Sequence, residues 1–340
     1  MGAHELLNNY AGKRVLITGG LGLMGSNLSH KLLDYGAKVT ILDPLLPLYG
    51  GNLFNFSGIE DKVTINYGDI RDEAALAQTV KDKDIIFNLA AQVSYTDGQT
   101  DPLLDLDINC RGHLLLLESC RKFNPSVKIV FSGSRLQYGE VKQVPVNEDQ
   151  PMNPKSFYGI HKVAGEFYHK MYYKLHGIRT AVFRIANPYG IRHQMKHSRY
   201  GIVNYFIKLA MGDDPIKIFG DGNQIRDYIY VEDIVEAFLH AGIRQKADNE
   251  VFNVGSGTPT RFVDMAKTVI ATVGKGRLEM VPWPENYQII ESGGYVSDIA
   301  KAKKMLAWSP KTKLSDGIKK TFEYYLKYKD HYWGQGFDGK

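Results

Sequence analysis

The stretch that decides the fold is Arg14-Val-Leu-Ile-Thr-Gly-Gly-Leu-Gly-Leu-Met-Gly25. Its apolar residues 15–17 form a short continuous run, which is typical of a parallel strand buried on both faces. Gly19, Gly22 and Gly25 follow at three-residue spacing, and residues 26–35 have the pattern of an amphipathic helix. This order brings free backbone N–H groups and a helix N-terminus to one point, where a pyrophosphate can bind. Glycine suits the turn because a Cβ atom would hold the backbone away from the phosphates.

A second predicted strand, residues 38–42, ends in Asp43, which lies 18 residues beyond Gly25. An acidic side chain at about this distance accepts hydrogen bonds from an adenosine ribose and repels a 2′-phosphate. The pattern therefore favours NAD over NADP as the cofactor. The alternative is an ordinary strand–helix–strand turn that binds no dinucleotide.

Strands and helices alternate through the first half of the chain. The strands are predicted at 14–18, 38–42, 63–67, 84–89 and 127–132, and the helices include 72–81 and 105–122. This alternation predicts an α/β fold of the Rossmann type, a doubly wound parallel sheet that binds ligands beyond the carboxyl ends of its strands. At those ends we expect NAD to contact Gly19, Gly22, Leu23, Met24, Gly25, Asp43, Asp69, Ile70, Ala90 and Ala91. Asp69 has a second interpretation, as the cap of the helix that begins near Asp72.

The regular alternation of strands and helices ends at about Pro145, and prolines and longer predicted loops follow. A helix at 156–176 and a sixth strand at 179–185 precede an irregular loop at 186–200. Further helices are predicted at about 201–211, 232–245, 261–273 and 314–328. We predict an NAD-binding Rossmann domain over residues 1–180, a smaller C-terminal α/β domain over 181–330 that binds the substrate, and a loose tail over 331–340.

The overall composition argues against a nucleic-acid-binding, secreted or membrane protein. With 340 residues, 44% of them hydrophobic, the chain can bury a large core, and its net charge of +5 gives no sign of a nucleic-acid partner. Cys110 and Cys120 have no metal or redox spacing, which favours a reducing compartment. The sequence shows no signal segment and no apolar run of the ~18 residues that a membrane span needs. We therefore expect a cytoplasmic protein with no membrane partner.

Ser134, Tyr158 and Lys162 are the candidate catalytic residues. Tyr158 and Lys162 are four positions apart on a predicted helix, so their side chains leave the same face. An ammonium group near a phenol favours the phenolate and lowers its pKa from ~10 toward neutrality. Ser134, at the end of the fifth strand, can hold the oxygen of a substrate as its proton leaves. The alternative is a surface tyrosine–lysine pair with no chemical role.

Seven ordered motifs of this sequence resemble one family. They are Thr18-Gly-Gly-Leu-Gly-Leu-Met-Gly25, Asn88-Leu-Ala-Ala91, Phe131-Ser-Gly-Ser134, Tyr158-Gly-Ile-His-Lys162, Arg184-Ile-Ala-Asn-Pro-Tyr-Gly190, Phe219-Gly-Asp-Gly-Asn-Gln-Ile-Arg-Asp-Tyr228 and Phe252-Asn-Val-Gly-Ser-Gly257. The chain thereby resembles the extended short-chain dehydrogenase/reductase family, and within it the nucleotide-sugar epimerases and dehydratases of the UDP-glucose 4-epimerase type. The resemblance runs from about residue 13 to about residue 325.

The resemblance implies a role for each matching residue. Tyr158 would be the general base, Lys162 would also hold the nicotinamide ribose, and Ser134 would steady a hydroxyl of the sugar. Asn187 and Arg226 would bind the diphosphate of a nucleoside-diphosphate sugar, which suits the forked guanidinium of arginine. Ser94 would contact the sugar. For Arg226 the alternative is a salt bridge with Asp227 or Asp233.

The sequence departs from the family pattern at three places. Dehydratases of the family usually carry an acidic pair directly after position 134, whereas this chain has Arg135 and Leu136. Arg135 either binds an anionic group of the substrate or contacts solvent. A second phosphate-binding arginine is missing from the late segment 285–295, so Arg192 or Arg199 is a candidate replacement. Tyr295 falls near a position that can exclude bulky N-acetyl sugars, which favours a plain hexose.

His193 and His197 have a spacing that would suit a metal if they lay on a helix. Their loop has no helical pattern and offers no third ligand. We therefore expect no metal site, and we expect the basic loop 192–199 to face an anionic ligand.

Together these observations predict an NAD-dependent epimerase that inverts C4 of a nucleoside-diphosphate sugar, of the UDP-hexose type, through a 4-keto intermediate. A 4,6-dehydratase or a 4-keto-sugar reductase is the alternative within the same superfamily. A non-catalytic NAD-bound protein that senses redox state is a more remote one. The resemblance also implies a homodimer, in which helices 105–122 and 156–176 pair across the interface.

Overall fold

The computed structural model describes residues 6–46, 49–285, 288 and 291–333. The central strands of these residues are β1 (Arg14–Thr18), β2 (Lys38–Leu42), β3 (Val63–Asn66), β4 (Ile85–Asn88), β5 (Lys128–Ser134) and β6 (Arg179–Ile185). The remaining strands are β7 (Asn187–Tyr189), β8 (Pro215–Phe219), β9 (Ile225–Arg226), β10 (Tyr228–Tyr230), β11 (Glu250–Val254), β12 (Thr260–Arg261) and β13 (Arg277–Val281). β1 to β6 and β11 form one parallel sheet in the order β11-β6-β5-β4-β1-β2-β3. The predicted doubly wound Rossmann-type fold is therefore confirmed.

Apolar residues alternate between the two faces of this sheet because successive side chains of a strand point in opposite directions. On β1, Val15 and Ile17 pack on one face and Leu16 packs on the other. Helices Leu23–Asp34 and Val231–Ile243 cover the first face, whereas Glu73–Thr79, His113–Phe123 and Phe157–His176 cover the second. Both faces are buried, which explains the continuous apolar runs of the central strands.

A second body of structure packs around its own core, in which Phe206, Ile218 and Met265 are buried. Its short strands pair as β10 with β7, β12 with β9 and β13 with β8. Its helices are Ile202–Met211, Phe262–Val273 and Leu314–Tyr328, while helix Ala300–Leu306 packs near β11. Within the described part of the chain, no helix is both long enough and apolar enough to cross a membrane.

The division predicted at residue 180 does not separate these two bodies. β11 and helix Val231–Ile243 lie beyond residue 180 and β6 spans it, yet all three belong to the central sheet and its covering layer. The chain therefore crosses between the two bodies several times. Of the predicted tail, Tyr332 is buried against Tyr324 and Asn55, and residues 334–340 lie outside the described residues.

Two local predictions need correction. The stretch predicted at 105–122 is helical throughout, but it is not a regular α-helix: helix Pro102–Leu106, a π-helical segment Asp107–Gly112 and helix His113–Phe123 follow one another directly. Asp72, and not Asp69, caps helix Glu73–Thr79, because its side chain accepts hydrogen bonds from the N–H groups of Ala74 and Ala75.

A buried ion pair joins helix Phe157–His176 to β6. Both carboxylate oxygens of Glu166 accept hydrogen bonds from Arg184, at 2.7 and 2.9 Å, and Glu166 is fully buried. Gln137, just beyond β5, donates to the same carboxylate at 2.7 Å. Bidentate geometry and the additional donor satisfy the charges of the pair, which a buried pair requires.

We expect Glu166→Ala to lower the free energy of unfolding by about 3–5 kcal/mol, because the guanidinium of Arg184 would remain buried without its anion. Glu323→Ala is the matched control, since Glu323 pairs with Lys319 at the surface, and it should cost no more than about 1 kcal/mol. Urea unfolding of both variants measures the difference. Equal losses would contradict the importance of the buried pair.

Candidate active site

A single cavity of about 780 Å³ lies along the carboxyl ends of the central strands. Its volume is in the range of small-molecule sites. The predicted residues that line it are Gly19, Gly22, Leu23, Met24, Gly25, Asp43, Asp69, Ile70, Ala90, Ala91, Ser134, Tyr158, Asn187 and Arg226. The sheet order puts the turns after β1, β4, β5 and β6 side by side along this edge. The cavity therefore runs from the glycine turn, past Ser134, to the second body.

The three glycines of the turn have different geometric roles. Gly19 has φ +67°, and a Cβ atom there would lie 2.8 Å from the Cα of Ala90. A Cβ on Gly25 would lie 2.6 Å from the carbonyl oxygen of Gly19. A Cβ on Gly22 would meet nothing closer than that oxygen at 3.6 Å, so packing does not require glycine at position 22. Because Gly22 lines the cavity and directly precedes helix Leu23–Asp34, its missing Cβ leaves room that fits a dinucleotide phosphate.

Asp43 and Asp69 face the same end of the cavity but have different partners. The carboxylate of Asp43 accepts from the N–H groups of Leu21 at 3.0 Å and Leu45 at 2.8 Å. Burial raises the pKa of Asp43, and these two hydrogen bonds oppose that effect. Both carboxylate oxygens of Asp69 accept from the guanidinium of Arg71, at 2.9 and 2.8 Å. Burial opposes this pairing, but the pKa of Asp69 is lowered overall by the contacts with Arg71.

Ser134, Tyr158 and Lys162 are brought together at the end of β5. Ser134 and Tyr158 both line the cavity, and the Ser134 hydroxyl accepts from the N–H of Leu136 at 3.2 Å. The ammonium of Lys162 donates to the carbonyl oxygen of Ser132 at 2.9 Å and lies 5.7 Å from the ring centroid of Tyr158. Lys162 is only 2% exposed and lies beneath the cavity rather than on its wall.

The expected lowering of the pKa of Tyr158 by Lys162 is wrong. Burial raises the pKa of Tyr158, the charge of Asp105 raises it further, and the side chain of Ser134 opposes both. Burial also lowers the pKa of Lys162 to about 8, against the opposing charges of Asp105 and Cys110. Loss of solvation is therefore the dominant influence on both groups.

Asp105 is a buried acid near this pair that the sequence pattern did not indicate. Its Oδ1 accepts from the Nδ2 of Asn109 at 2.9 Å and lies 2.6 Å from the Nδ1 of His161. Its Oδ2 is buried and has no hydrogen-bond partner in the protein. Asp105 and Asn109 are four residues apart, so their contact could have been predicted from helical spacing. The contact with His161 depends on how two helices pack, which the sequence pattern does not show.

Arg226 lies at the other end of the site, where its guanidinium is largely buried. It donates to the Oε1 of Glu291 at 2.5 Å, and also to the carbonyl oxygens of Gly293 at 2.8 Å and Ile225 at 3.0 Å. The alternative of a salt bridge with Asp227 or Asp233 is therefore wrong. Those two carboxylates instead accept backbone N–H groups, from residues 256, 257 and 297 and from residues 311 and 312.

Arg135 lines the cavity beside Arg226. Its Nε donates to the Oδ1 of Asn187 and its terminal nitrogen donates to the hydroxyl of Ser292, both at 3.2 Å. Burial lowers the pKa of Arg135 to about 10, and the charge of Arg226 acts in the same direction. The alternative in which Arg135 merely contacts solvent is therefore wrong.

Three further expectations are corrected by the positions of the side chains. Ser94 is fully buried away from the cavity, where its hydroxyl bonds to Thr96 and to the N–H of Asp97. Tyr295 is buried behind the wall, under the guanidinium of Arg135. Arg192 also lies off the wall, because it donates to Asn27 at 2.8 Å.

Other parts of the loop 192–199 reach the cavity. Arg199 lines it and pairs with Asp97 at 3.1 Å. His193 is buried beside it, and burial lowers the pKa of this histidine to about 4. Among the residues that the structure describes, no group of three or more His, Cys, Asp or Glu side chains could hold a metal ion.

Comparison with known proteins gives consistent matches. Residues 15–255 match the model of the NAD dependent epimerase/dehydratase family. The chain is 34% identical over 313 residues to a UDP-glucose 4-epimerase of Mycolicibacterium smegmatis, covering 92% of this chain and 98% of that protein.

Solved structures give the same result. The chain matches an epimerase of Methanothermobacter thermautotrophicus with a TM-score of 0.90 and 28% identity, over 96% of both chains. It matches a UDP-glucose 4-epimerase of Thermotoga maritima, solved with UDP-glucose, with a TM-score of 0.83 and 33% identity, over 93% of this chain and 99% of that one.

We expect Gly22→Val to weaken NAD binding at least about tenfold without destabilising the fold, because the new side chain would occupy cavity space rather than clash with backbone. Gly25→Val is the contrasting variant, since its Cβ would overlap the carbonyl of Gly19, and it should lower the stability of the fold itself. NAD titration followed by calorimetry, and urea unfolding, separate the two effects. An unchanged dissociation constant for Gly22→Val would show that NAD does not approach this turn.

Proposed function

This chain belongs to the NAD-dependent epimerase/dehydratase family, and we propose that it is a 4-epimerase of nucleoside-diphosphate hexoses, of the UDP-hexose type. It is an NAD-dependent enzyme of the nucleotide-sugar epimerase and dehydratase group. The observation that carries the proposal is that one cavity joins the glycine turn, Tyr158 and Arg226. A dinucleotide, a sugar and a diphosphate can therefore be held in a row.

In the proposed reaction, Tyr158 acts in its phenolate form and takes the proton of the 4-hydroxyl while C4 is oxidised to a ketone. Because burial raises the pKa of Tyr158, the phenol must lose its own proton before this step. NAD, when bound at the glycine turn, supplies the acceptor and later the donor of the C4 hydride. Ser134 holds the C4 oxygen through its hydroxyl. Lys162 would hold the nicotinamide ribose of bound NAD. The 4-keto sugar then rotates so that its opposite face meets the hydride donor. Tyr158 returns the proton to the C4 oxygen as C4 is reduced from that face. The reaction leaves no net oxidation.

Two further residues are proposed to bind the diphosphate. Arg226 and Asn187 lie on the cavity wall at the end remote from the glycine turn, where the guanidinium can bind phosphate oxygens in a forked arrangement. Asn187 is held in place because its amide donates to the carbonyl oxygen of Asp227 at 2.8 Å. Anchoring the nucleotide here leaves the sugar beside Ser134 and Tyr158.

The position of the carboxylates favours an epimerase over a 4,6-dehydratase. Among the described residues that line the cavity, the carboxylates are Asp43, Asp69, Asp214 and Glu291. Asp43 and Asp69 follow β2 and β3, on the far side of β1 from Ser134, and Asp214 precedes β8. Glu291 is paired with Arg226. None of them adjoins Ser134 as an acid ready to protonate a leaving hydroxyl.

We expect the purified protein to interconvert UDP-glucose and UDP-galactose, or the corresponding N-acetyl sugars, without consuming NAD. Nuclear magnetic resonance of the sugar anomeric protons measures this directly. Tyr158→Phe should lower kcat by at least about a hundredfold, because it removes the proton-transfer group while keeping the ring. A 4-keto or 5,6-unsaturated product would identify a dehydratase, and net cofactor consumption would identify a reductase. An unaltered rate in Tyr158→Phe would refute the catalytic role of this residue.

We also propose a homodimer, on the evidence of an exposed apolar stripe on helix Phe157–His176. Its members Phe157, Ile160, Phe167, Met171 and Leu175 are 44–64% exposed and recur at helical spacing. Leu103, Leu106 and Leu114, on the neighbouring helical segments, extend the same apolar surface. A contiguous patch of this kind is typical of an interface between subunits.

A charge within this stripe should abolish dimerisation. We expect Phe167→Glu to convert a dimer into a monomer in light scattering coupled to size-exclusion chromatography, because dimer formation would bury an unpaired carboxylate. Leu326→Glu, at a more exposed apolar residue on helix Leu314–Tyr328, is the control and should remain a dimer. A monomeric parent protein would refute the proposal.

For its location we propose a reducing compartment such as the cytoplasm. Cys110 and Cys120 are both buried as free thiols. Burial raises the pKa of Cys110 to about 11 and raises that of Cys120 further. Both sulfurs are therefore held as unreactive thiols rather than thiolates.

A further inference from the structure

Arg135 and Arg226 place two cations on one wall of the cavity, and they are not equally compensated. Arg226 pairs with the carboxylate of Glu291. Arg135 donates instead to two neutral oxygens, those of Asn187 and Ser292, at 3.2 Å. Glu291 also acts on Arg135 through its charge, but its hydrogen bond goes to Arg226. Two guanidinium groups thus share one carboxylate.

An arrangement of this kind is costly unless a ligand completes it. Arg135 is half-buried on the cavity wall, and a guanidinium that is partly removed from water loses solvation that an anionic partner restores. Burial and the neighbouring charge of Arg226 lower the pKa of Arg135 to about 10, which reflects that cost. The wall around Arg135 therefore favours the binding of a further anion from the cavity.

The contacts of Asn187 indicate where that anion lies. Its Oδ1 accepts from Arg135 and its amide donates to the carbonyl oxygen of Asp227, the residue next to Arg226. Arg135, Asn187 and Arg226 therefore form one continuous polar row. Asn187 and Arg226 are the residues already proposed to bind the diphosphate.

We propose that Arg135 is the second guanidinium that binds the diphosphate of the substrate, in place of the arginine missing from segment 285–295. This inference rests on the proposed function. It assigns two cations, rather than one, to the two charged phosphates of a nucleoside-diphosphate sugar.

The other two candidates for this role are less suited to it. Arg199 lines the cavity, but its guanidinium pairs with Asp97 and its side chain is 49% exposed. Arg192 donates to Asn27 and lies off the wall. A carboxylate on the sugar is another anion that Arg135 could meet, because it directly follows Ser134. The shared contact with Asn187 favours the diphosphate.

The test uses Arg135→Met, which removes the charge and keeps a similar stem, and Arg135→Lys, which keeps the charge and loses the fork. Calorimetry of the full chain with NAD measures the dissociation constants of UDP, uridine, UDP-glucose and UDP-glucuronate. Arg135→Met should raise the dissociation constants of UDP and of both UDP-sugars by about tenfold to a hundredfold. The dissociation constant of uridine should not change. Arg135→Lys should show a smaller loss for the same three ligands.

Arg199→Met is the matched control and should change the UDP dissociation constant by less than about threefold. Three results would overturn the inference: unchanged UDP binding in Arg135→Met, a loss confined to UDP-glucuronate, or an equal loss for uridine. The first result would show that Arg135 does not contact the phosphates. The second would show that it binds a carboxylate of the sugar, and the third would show that the substitution damages the cavity.

Failure of the proposed function gives a different result. A parent protein that binds UDP but does not interconvert UDP-sugars would refute the epimerase while leaving the phosphate assignment testable. A parent protein that binds neither UDP nor UDP-sugars would refute both.

Discussion

The close approach of the turns after β1 and β4 is the constraint on which the rest of the site depends. The hydroxyl of Thr18 donates to the Oδ1 of Asn88 at 2.9 Å and accepts from the N–H groups of Leu89 at 3.1 Å and Ala90 at 3.2 Å. These bonds join the ends of the two strands where the strand order reverses, which is where such sheets bind their ligands. The contact leaves no room for a Cβ at position 19. The glycine turn and the small residues after β4 therefore form one continuous surface at the base of the cavity.

The remainder of the site follows from that surface and from the path of the chain beyond it. β5 and β6 continue the sheet outward, so Ser134 lies one strand beyond Ala90 and residue 187 lies one strand further. β6 is separated from β7 only by Ala186, and β7 pairs with β10, which follows Arg226 after a single residue. The wall with Arg226 is thereby joined to the sheet through short backbone connections.

Local signals allowed the sequence to predict most of the elements and much of the cavity wall. Helix Phe157–His176 agrees with the predicted 156–176 within one residue, and its ends are set locally, since Ser156 caps its first turn and Gly177, with φ +68°, ends it. The position of β11 in the main sheet was not predicted, because its partner β6 is remote in sequence. The predictions that Ser94 contacts the sugar and that Tyr295 limits its size were wrong for a similar reason. Their polar partners depend on packing, and a motif position does not determine whether a side chain reaches the cavity.

The charges of the site are segregated in a way that suits a reaction with no net change in protons or electrons. Near Tyr158, the buried charges are the ammonium of Lys162 and the carboxylate of Asp105, which compensate each other within the protein. Near Arg226, two guanidiniums face one carboxylate, so the excess positive charge lies where an anion would bind. Attraction for the substrate is thus concentrated away from the reacting carbon. Because burial raises the pKa of Tyr158, a proton that this residue receives is held until it can return to the same oxygen.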